Sequence, residues 1–572
     1  MTLLDAAIVL AFAAWAIGSG LHARRAASRG MEDYFLAGRT LRGWQAGMSM
    51  AATQFAADTP LLVTGLIATA GLFSLWRLWI YALAFLLLGF VLAAAWRRSG
   101  ALTDAELAEL RYGSRSAPAL RAVKAIYFGT IFNCTVLAMV LFATREIAEP
   151  LLRWNEWLPA GAFAAAESAV RAIGVPLARE TGAGDPWLRS TNNALSMAAV
   201  LGVTAFYSVA GGLRSVVRTD VVQLTVMLAA TALYALYVLD AVGGLGALPG
   251  RVADTAAALH TTSERILSVT PSRANVDSAA VLGVLGLQWL LQMNADGTGY
   301  LAQRAMACRS DHDARVAALV FTVTQVLLRS LLWIPIGLGL LVLFPPDPSL
   351  AGAALAVDRE ATWVRGMQEL LPPGALGLLL AGMLAALAST LDTHLNWGAS
   401  YWTHDLYARF VCRWLGRTPS QRELVFVARV STFGVLLLAL AIMTRLSSIQ
   451  TAWHASLLLG AGMGVVLVLR WLWWRLTAAG ELMTIATSSV LAPLLLLWMP
   501  DREALRLLVV AGAATCAGVA TSLATGPEPL DRLVAFYRRV RPPGFWGPVA
   551  RAAGADPARD AARLRRGLLA TG

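Results

Sequence analysis

Long apolar runs recur along this chain from its N-terminus to Thr525. A helix needs about 20 apolar residues to cross the hydrocarbon core of a bilayer, and most of these runs reach that length. They are solidly apolar and do not alternate every second residue as the strands of a membrane β-barrel do. Only 14% of the residues are charged, which excludes an ordinary soluble domain with about 25%. The sequence therefore predicts an all-α polytopic membrane protein.

Charges, glycines and prolines divide the apolar runs into about thirteen predicted transmembrane helices. Their predicted bounds are 4–20, 45–70, 72–96, 121–150, 190–210, 217–247, 276–305, 314–344, 374–404, 423–445, 450–475, 479–500 and 504–525. Arginines concentrate in alternate loops, which the positive-inside rule assigns to the cytoplasm. We therefore expect the N-terminus outside, the C-terminus inside and a multi-pass location in the cytoplasmic membrane. Because the arginines lie between spans, the net charge of +12 does not indicate nucleic-acid binding.

Acidic and helix-breaking residues interrupt two of the predicted spans. In the second span Asp58 is followed by Pro60, whose ring clashes with the carbonyl of Ala56 and frees backbone oxygens there. In the seventh span Asp296 lies within the glycine-containing segment Asn294–Gly299. Paired interruptions of this kind are typical of transporters built from inverted repeats, whose binding site lies between the broken helices. An ordinary proline kink with close packing at the glycines stays open as the alternative.

Polar groups in the eighth and ninth spans leave two alternatives each. Ser389 and Thr390 either bond back to carbonyls one turn earlier or supply oxygen ligands to a hard cation such as sodium. Arg329 either neutralises an intramembrane acid, which we favour, or anchors an anionic solute.

Several motifs occur in a fixed order along the chain: Asp33–Arg39, Gly211–Ser215 followed by Thr219–Gln223, Gln303–Arg304, Ala386-x-x-Ser389-Thr390 and His404–Tyr407. Together they resemble the sodium/solute symporter family. The resemblance implies a five-plus-five inverted-repeat core, with residues 45–247 as the first repeat and 248–475 as the second. Residues 1–44 then hold a first transmembrane helix and a cytoplasmic loop, 476–525 two additional helices, and 526–572 a basic cytoplasmic tail. The tail is expected either to lie on the membrane surface or to be solvated.

The resemblance also implies a sodium site between two helices. By motif position its ligands are the carbonyls of Ala56, Thr59 and Ala386 and the hydroxyls of Ser389 and Thr390. Asp58 matches an acid near the ion, and Asp220 matches an acid on the inner exit route of sodium. A helix-start or arginine-pairing role for Asp220, beside Arg214 and Arg218, stays open.

Solute contacts are expected at Asn294, Asp296 and Gly297. This segment departs from the best-known family members, so the resemblance does not identify the solute.

We expect a sodium-coupled symporter that imports a small polar organic solute by alternating access. Sodium is the coupling ion, no other cofactor is expected, and the protein is expected to be a lipid-embedded monomer or loose homo-oligomer. A solute sensor on the same fold and a proton-coupled or uncoupled carrier stay open. An enzyme using Asp58, Asp296 and Asp392 as catalytic carboxylates is disfavoured, because the sequence contains no large soluble catalytic domain.

Overall fold

The computed structural model describes residues 1–27, 31–178, 184–270, 286–291, 294–446, 448–500 and 502–571. Within these ranges the regular structure is helical, and extended pairing is limited to two isolated bridges, Leu41 with Cys308 and Trp473 with Phe545. The prediction of an all-α membrane protein is confirmed.

The helices used below are numbered in chain order. They are α1 (Leu3–Ala27), α2 (Met31–Leu36), α3 (Gly43–Gln54), α4 (Asp58–Ala70), α5 (Leu72–Ser99), α6 (Glu106–Arg111), α7 (Ser116–Leu151), α8 (Ala160–Ile173), α9 (Pro186–Ala241), α10 (Leu248–Ala258), α11 (Tyr300–Ala307), α12 (Asp311–Leu343), α13 (Gly352–Leu370), α14 (Ala375–Trp414), α15 (Gln421–Met443), α16 (Ile449–Ala461), α17 (Gly464–Leu472), α18 (Ala478–Trp498), α19 (Glu503–Ala524), α20 (Leu530–Val540), α21 (Gly547–Ala552) and α22 (Pro557–Thr571).

Nine helices in the described part of the chain are long and apolar enough to cross a membrane. They are Leu72–Ser99, Ser116–Leu151, Leu213–Ala241, Asp311–Leu343, Ala375–Trp414, Gln421–Met443, Ala452–Leu472, Ala478–Trp498 and Glu503–Ala524. Each overlaps a predicted span, and two shorter apolar helices, Leu3–Ser19 and Asp58–Ala70, overlap two more. Part of the predicted span 276–305 lies outside the described residues. The total of thirteen spans and the sides of the two termini therefore stay predictions.

Side-chain caps determine where several of these helices begin. The Ser310 side chain accepts a hydrogen bond from the Asp313 backbone N–H at the start of α12. The Thr477 side chain accepts one from the Gly480 backbone N–H at the start of α18. Asp185 caps α9 in the same way, and Pro186 follows it at a position where the missing N–H costs no hydrogen bond. These caps satisfy backbone donors that have no partner inside a helix.

The second predicted span is two helices. α3 ends at Gln54 and α4 begins at Asp58, so Phe55–Ala57 separate them. Pro60 lies in the first turn of α4, where a proline is tolerated. Because Pro60 has no N–H to offer, the Ala56 carbonyl instead accepts from the Thr59 N–H at 3.1 Å. The predicted interruption is present, and it lies just before the proline.

The backbone is helical throughout α9, from Pro186 to Ala241. The sequence predicts two spans here, 190–210 and 217–247, but residues 211–216 continue the helix between them. Two consecutive glycines favour a break, but each costs a helix only about 1 kcal/mol, and the described helix contains no proline after Pro186. α9 packs against α1, α3 and α14 and so borders the site described below.

The C-terminal segment folds back onto the protein. Phe536 and Tyr537 of α20 are buried, as is Trp546, whose indole N–H donates to the Trp471 carbonyl at 2.7 Å. Apolar side chains of residues 530–550 contact the ends of α5 and α17, so this part of the tail is not simply solvated, and its placement at the membrane surface stays a prediction. The sequence could not decide this, since an amphipathic helix suits a membrane surface and a protein surface equally well.

The tail contacts give the predicted topology a direct test. Arg98, in a loop expected to be cytoplasmic, donates to the Val540 carbonyl of α20. A fluorescent protein fused after Gly572 is therefore expected to fluoresce, and alkaline phosphatase fused there is expected to be inactive, because only a cytoplasmic terminus gives this pair of results. An active phosphatase would mean that either the outside N-terminus or the odd number of spans is wrong.

Candidate functional site

A contact between α3 and α14 forms the centre of the candidate ion site. The hydroxyl oxygen of Thr390 lies 3.0 Å from the Thr53 carbonyl oxygen and 3.0 Å from the Ala386 carbonyl oxygen. Ala386 is one turn earlier in α14, so the back-bond expected of a membrane hydroxyl is present. Thr53 lies in the last turn of α3, whose carbonyls have no partner further along the helix. Thr390 therefore faces a carbonyl that the helix break has freed.

Asp220 of α9 lies beside this contact and is buried. Its carboxylate accepts hydrogen bonds from the hydroxyls of Ser389 and Ser49, and the guanidinium of Arg304 lies 3.9 Å away. Arg214 instead donates to the Ala37 carbonyl. Asp220 lies inside α9, so it does not begin a helix, and its cationic partner is Arg304 of α11.

The structure brings together some of the predicted sodium ligands. Thr390, with the Ala386 carbonyl, lies against α3, and Ser389 donates to Asp220 of α9. No hydrogen bond within the described residues joins Ala56 or Thr59 to α14, and the carbonyl that Thr390 contacts is three residues before Ala56.

Sequence reasoning missed three polar residues of this cluster: Ser49, Thr53 and Thr393. The hydroxyls of Thr53 and Thr393 are 3.2 Å apart, and Thr393 accepts a hydrogen bond from Arg304 at 2.8 Å. Ser49 and Thr53 are four residues apart, which places both on one face of α3. That spacing, upstream of the proline, was the available signal.

A cavity adjoins the cluster on its predicted cytoplasmic side. Arg304 and Thr393 line it together with Phe35 of α2 and Leu213 of α9. It thus extends from the polar cluster toward the loop that precedes α3, which carries the expected cytoplasmic arginines. The cavity has room for about one water molecule beside the cluster.

Asp296 lies in the second interruption, next to Gly297, whose φ of 88° few residues other than glycine adopt. One carboxylate oxygen accepts from Arg470 at 2.6 and 3.0 Å and from the Trp471 indole at 2.7 Å. The other accepts from the N–H and the hydroxyl of Thr298. These five donors fill the acceptor positions of a carboxylate. In this arrangement Asp296 has no position left for a solute.

The other two predicted solute contacts lie near Asp296. Asn294 is half-buried, and Gly297 packs so closely against Leu88 of α5 that an added Cβ would lie 2.7 Å from that side chain. Gly297 therefore allows α5 to approach the interruption. Gly297 thus makes a packing contact with α5, and the Asn294 side chain is partly exposed to solvent.

Asp58 and Arg329 lie beside the first interruption. Arg329 donates to the Gln54 carbonyl at 3.0 Å, and its guanidinium lies 4.4 Å from the centre of the Trp333 ring. Tyr300 donates its hydroxyl to the Gln54 side chain. Polar side chains from α4, α11 and α12 therefore surround the end of α3.

Comparison with known proteins identifies relatives over most of the chain. The model of the "Sodium:solute symporter family" matches residues 34–152 and 188–487. The sodium/glucose cotransporter of Vibrio parahaemolyticus is 24% identical over 523 residues, 87% of this chain and 86% of that protein. The sodium/proline symporter of Escherichia coli K12 is 30% identical over 289 residues, 49% of this chain and 52% of that protein.

A solved structure shares the fold. It is a Na+-coupled sialic acid symporter in a substrate-bound outward-open state, with a TM-score of 0.69 and 17% sequence identity, covering 92% of this chain and 99% of that one. At this identity the similarity establishes the fold alone. The family match covers well over half of the sequence, including both interruptions and the contact between α3 and α14. The chain therefore belongs to the sodium:solute symporter family.

Proposed function

We propose that this protein is a sodium-coupled symporter of the cytoplasmic membrane that imports a small polar organic solute. Sodium binds between α3 and α14, at the hydroxyls of Ser389 and Thr390 and the carbonyls of Ala386 and Thr53. The carbonyls of Ala56 and Thr59 complete the proposed set when the broken helix adjusts around the ion. Hard cations require several oxygen ligands, and these groups supply them without placing an acid directly on the ion.

The observation that carries this proposal is the short contact between the Thr390 hydroxyl and the freed Thr53 carbonyl. An ion bound there joins the two halves of the molecule, because α3 belongs to the proposed first repeat, 45–247, and α14 to the second, 248–475. Sodium binding therefore favours one relative position of the repeats over the other. A ligand shifts a conformational equilibrium only through such a difference in affinity.

Asp220 and the inner cavity support a release route for sodium. Asp220 already accepts a hydrogen bond from Ser389, so its carboxylate offers the next oxygen ligand to a sodium ion that leaves the site inward. In this proposal the ion then passes the water-sized cavity bordered by Arg304 and Thr393 on its way to the cytoplasm. We assign Asp58 to ion support from the outer side, at the first residue of α4.

Sodium binding can be tested before the solute is known. Purified full-length protein is expected to unfold at a higher temperature in sodium chloride than in potassium chloride or choline chloride at equal ionic strength, because a ligand stabilises the state that binds it. Equal unfolding temperatures in all three salts would contradict a sodium site. A shift that follows pH and not sodium would favour the proton-coupled carrier.

Once a solute is found, counterflow into proteoliposomes separates a carrier from a sensor. A carrier exchanges labelled solute across the membrane, and a sensor binds it without turnover. We expect counterflow, accelerated by sodium. Binding without exchange would leave the sensor as the better description.

A further inference from the structure

Asp58 and Arg329 are opposite charges buried close together without a direct contact. Asp58 begins α4 just after the first interruption and Arg329 donates to the Gln54 carbonyl just before it, yet no N···O distance within 4.0 Å joins the two side chains among the described residues. Both residues are more than nine-tenths buried: Asp58 is 9% exposed and Arg329 is 6% exposed. Charges inside a membrane helix are costly, so such a pair ordinarily closes into an ion pair. The gap between them is the feature to be explained.

Arg329 makes fewer hydrogen bonds than the buried arginines Arg111 and Arg470. Arg111 donates to three backbone carbonyls, and Arg470 donates twice to Asp296. Arg329 donates one hydrogen bond within the described residues, to the Gln54 carbonyl, and its Nε has no partner. A guanidinium has five N–H groups, so most of its donor capacity is unused.

A cavity of about 10 Å³, large enough for roughly one water molecule, adjoins the Arg329 side chain. It is lined by Arg329, Gln325 and Trp333 of α12 and by Val63, Leu75 and Leu78 of α4 and α5. Gln325 Oε1 and Trp333 Nε1 are buried without hydrogen-bond partners, as is Asp58 Oδ1. The cavity thus combines unused polar groups on α12 with an apolar wall opposite them.

The local backbone of α12 explains how these groups come together. Residues Val323–Leu328 form a π-helical turn, and Arg329 follows it directly. A π-helical turn widens the spacing of side chains and is frequent at functional sites. Gln325 and Arg329 are four residues apart and line the same cavity, and Trp333 one turn later stacks on the guanidinium.

We propose that Arg329 binds the carboxylate of the transported solute, which makes the substrate class small carboxylates; this rests on the proposed symport function. The guanidinium fork matches a carboxylate with two parallel hydrogen bonds. The Trp333 indole adds a donor. Because the cavity holds only about one water molecule, an aliphatic chain fits beside Val63, Leu75 and Leu78 only when α4 and α5 move away from α12. Asp58, across the gap, takes the ammonium group if the solute is an α-amino acid.

The experiment uses purified full-length protein in saturating sodium chloride. Propionate, pyruvate, L-alanine and L-proline are each compared with the corresponding neutral amide, and glucose serves as a neutral polyol. We expect at least one carboxylate to raise the unfolding temperature while its amide does not. If the two amino acids act and the two simple carboxylates do not, Asp58 contributes the second contact. Equal effects of an acid and its amide, stabilisation by glucose alone, or no stabilisation by any of the four carboxylates would overturn the proposal.

Substitutions then assign the effect to Arg329. Arg329→Lys keeps the charge but loses the forked pair of hydrogen bonds, so we expect carboxylate affinity to fall by about tenfold. Arg329→Gln loses both the charge and the fork, so we expect a fall of up to about a hundredfold. Arg506→Gln is the matched control, because Arg506 is a buried arginine in α19 that donates to backbone carbonyls outside the core. It should leave carboxylate affinity unchanged.

A double substitution separates binding from charge balance. If Arg329 serves only to neutralise Asp58, then Arg329→Gln combined with Asp58→Asn removes both charges and restores binding. Under our proposal the double variant has a normal unfolding temperature without ligand and still fails to bind the carboxylate. Restored binding would overturn the assignment of Arg329.

Sodium dependence distinguishes this proposal from the proposed function. Carboxylate binding that does not depend on sodium would retain the substrate class and reject sodium coupling. Sodium-dependent transport of a neutral solute would retain coupling and reject the substrate class.

Discussion

An Asp296→Asn substitution is expected to destabilise the folded protein by about 3–5 kcal/mol. Asp296 and Arg470 are both almost fully buried, and their side chains are 2.6 Å apart. The asparagine would leave Arg470 charged inside the protein without a counter-ion, which costs far more than the loss of one contact. The affected link joins the second interruption to the end of α17, so we expect low yield and an unfolding temperature well below that of the wild type.

Two comparisons test this explanation. Combining Asp296→Asn with Arg470→Gln removes the unpaired charge, so the double variant should recover part of the lost stability. Glu369→Gln breaks an exposed pair with Arg365 on α13, and exposed pairs contribute little, so its unfolding temperature should stay near the wild-type value. If Asp296→Asn unfolds normally and changes only the affinity for solute, the solute contact predicted from the sequence would be the better assignment.

This residue also shows where sequence reasoning stops. An acid in an interrupted membrane helix is rightly singled out, because its cost requires a function or a partner. The partner, Arg470, lies 174 residues further along the chain, at the end of another span, and no local pattern connects the two. Distinguishing a structural ion pair from a solute contact therefore required the structure.

The start of α14 and the first interruption were predictable because they depend on local chemistry. The predicted span 374–404 begins within one residue of α14, since hydropathy and the glycine before it mark the same place. Pro60 marked the break between α3 and α4 for the same reason. The packing of the tail on Trp471 depends on tertiary contacts instead, as does the exact carbonyl that faces Thr390.

Thr390→Ala and Ser389→Ala are each expected to raise the sodium concentration for half-maximal effect by about tenfold to a hundredfold. Contacts between polar groups and a charged partner contribute about 1.5–3 kcal/mol each, and about 1.4 kcal/mol is a factor of ten. The two residues reach the site differently, because Thr390 contacts a carbonyl of α3 while Ser389 donates to Asp220. The measurement is the unfolding temperature, or uptake at saturating solute, against sodium concentration.

The control for these variants is another threonine with the same back-bond. Thr432 of α15 donates to the Ala428 carbonyl at 2.9 Å, and it lies away from the contact between α3 and α14. Thr432→Ala should shift the sodium curve by less than about threefold, since a back-bond within one helix contributes nothing to the ion. Equal, small shifts in Thr390→Ala and Thr432→Ala would mean that Thr390 only bonds back to Ala386.

Thr390→Ser completes the test, because it keeps the hydroxyl and removes only a methyl group. If the oxygen at this position is a sodium ligand, serine should hold sodium affinity within about threefold of the wild type while alanine does not. If the methyl group were important for packing α14 against α3, serine and alanine would be impaired alike. A raised half-saturation in alanine, its recovery in serine and a near-normal maximal uptake in both together would assign the Thr390 oxygen to the ion. Unchanged sodium curves in all the variants of Ser389 and Thr390 would remove the sodium site from this contact and leave a proton-coupled or uncoupled carrier.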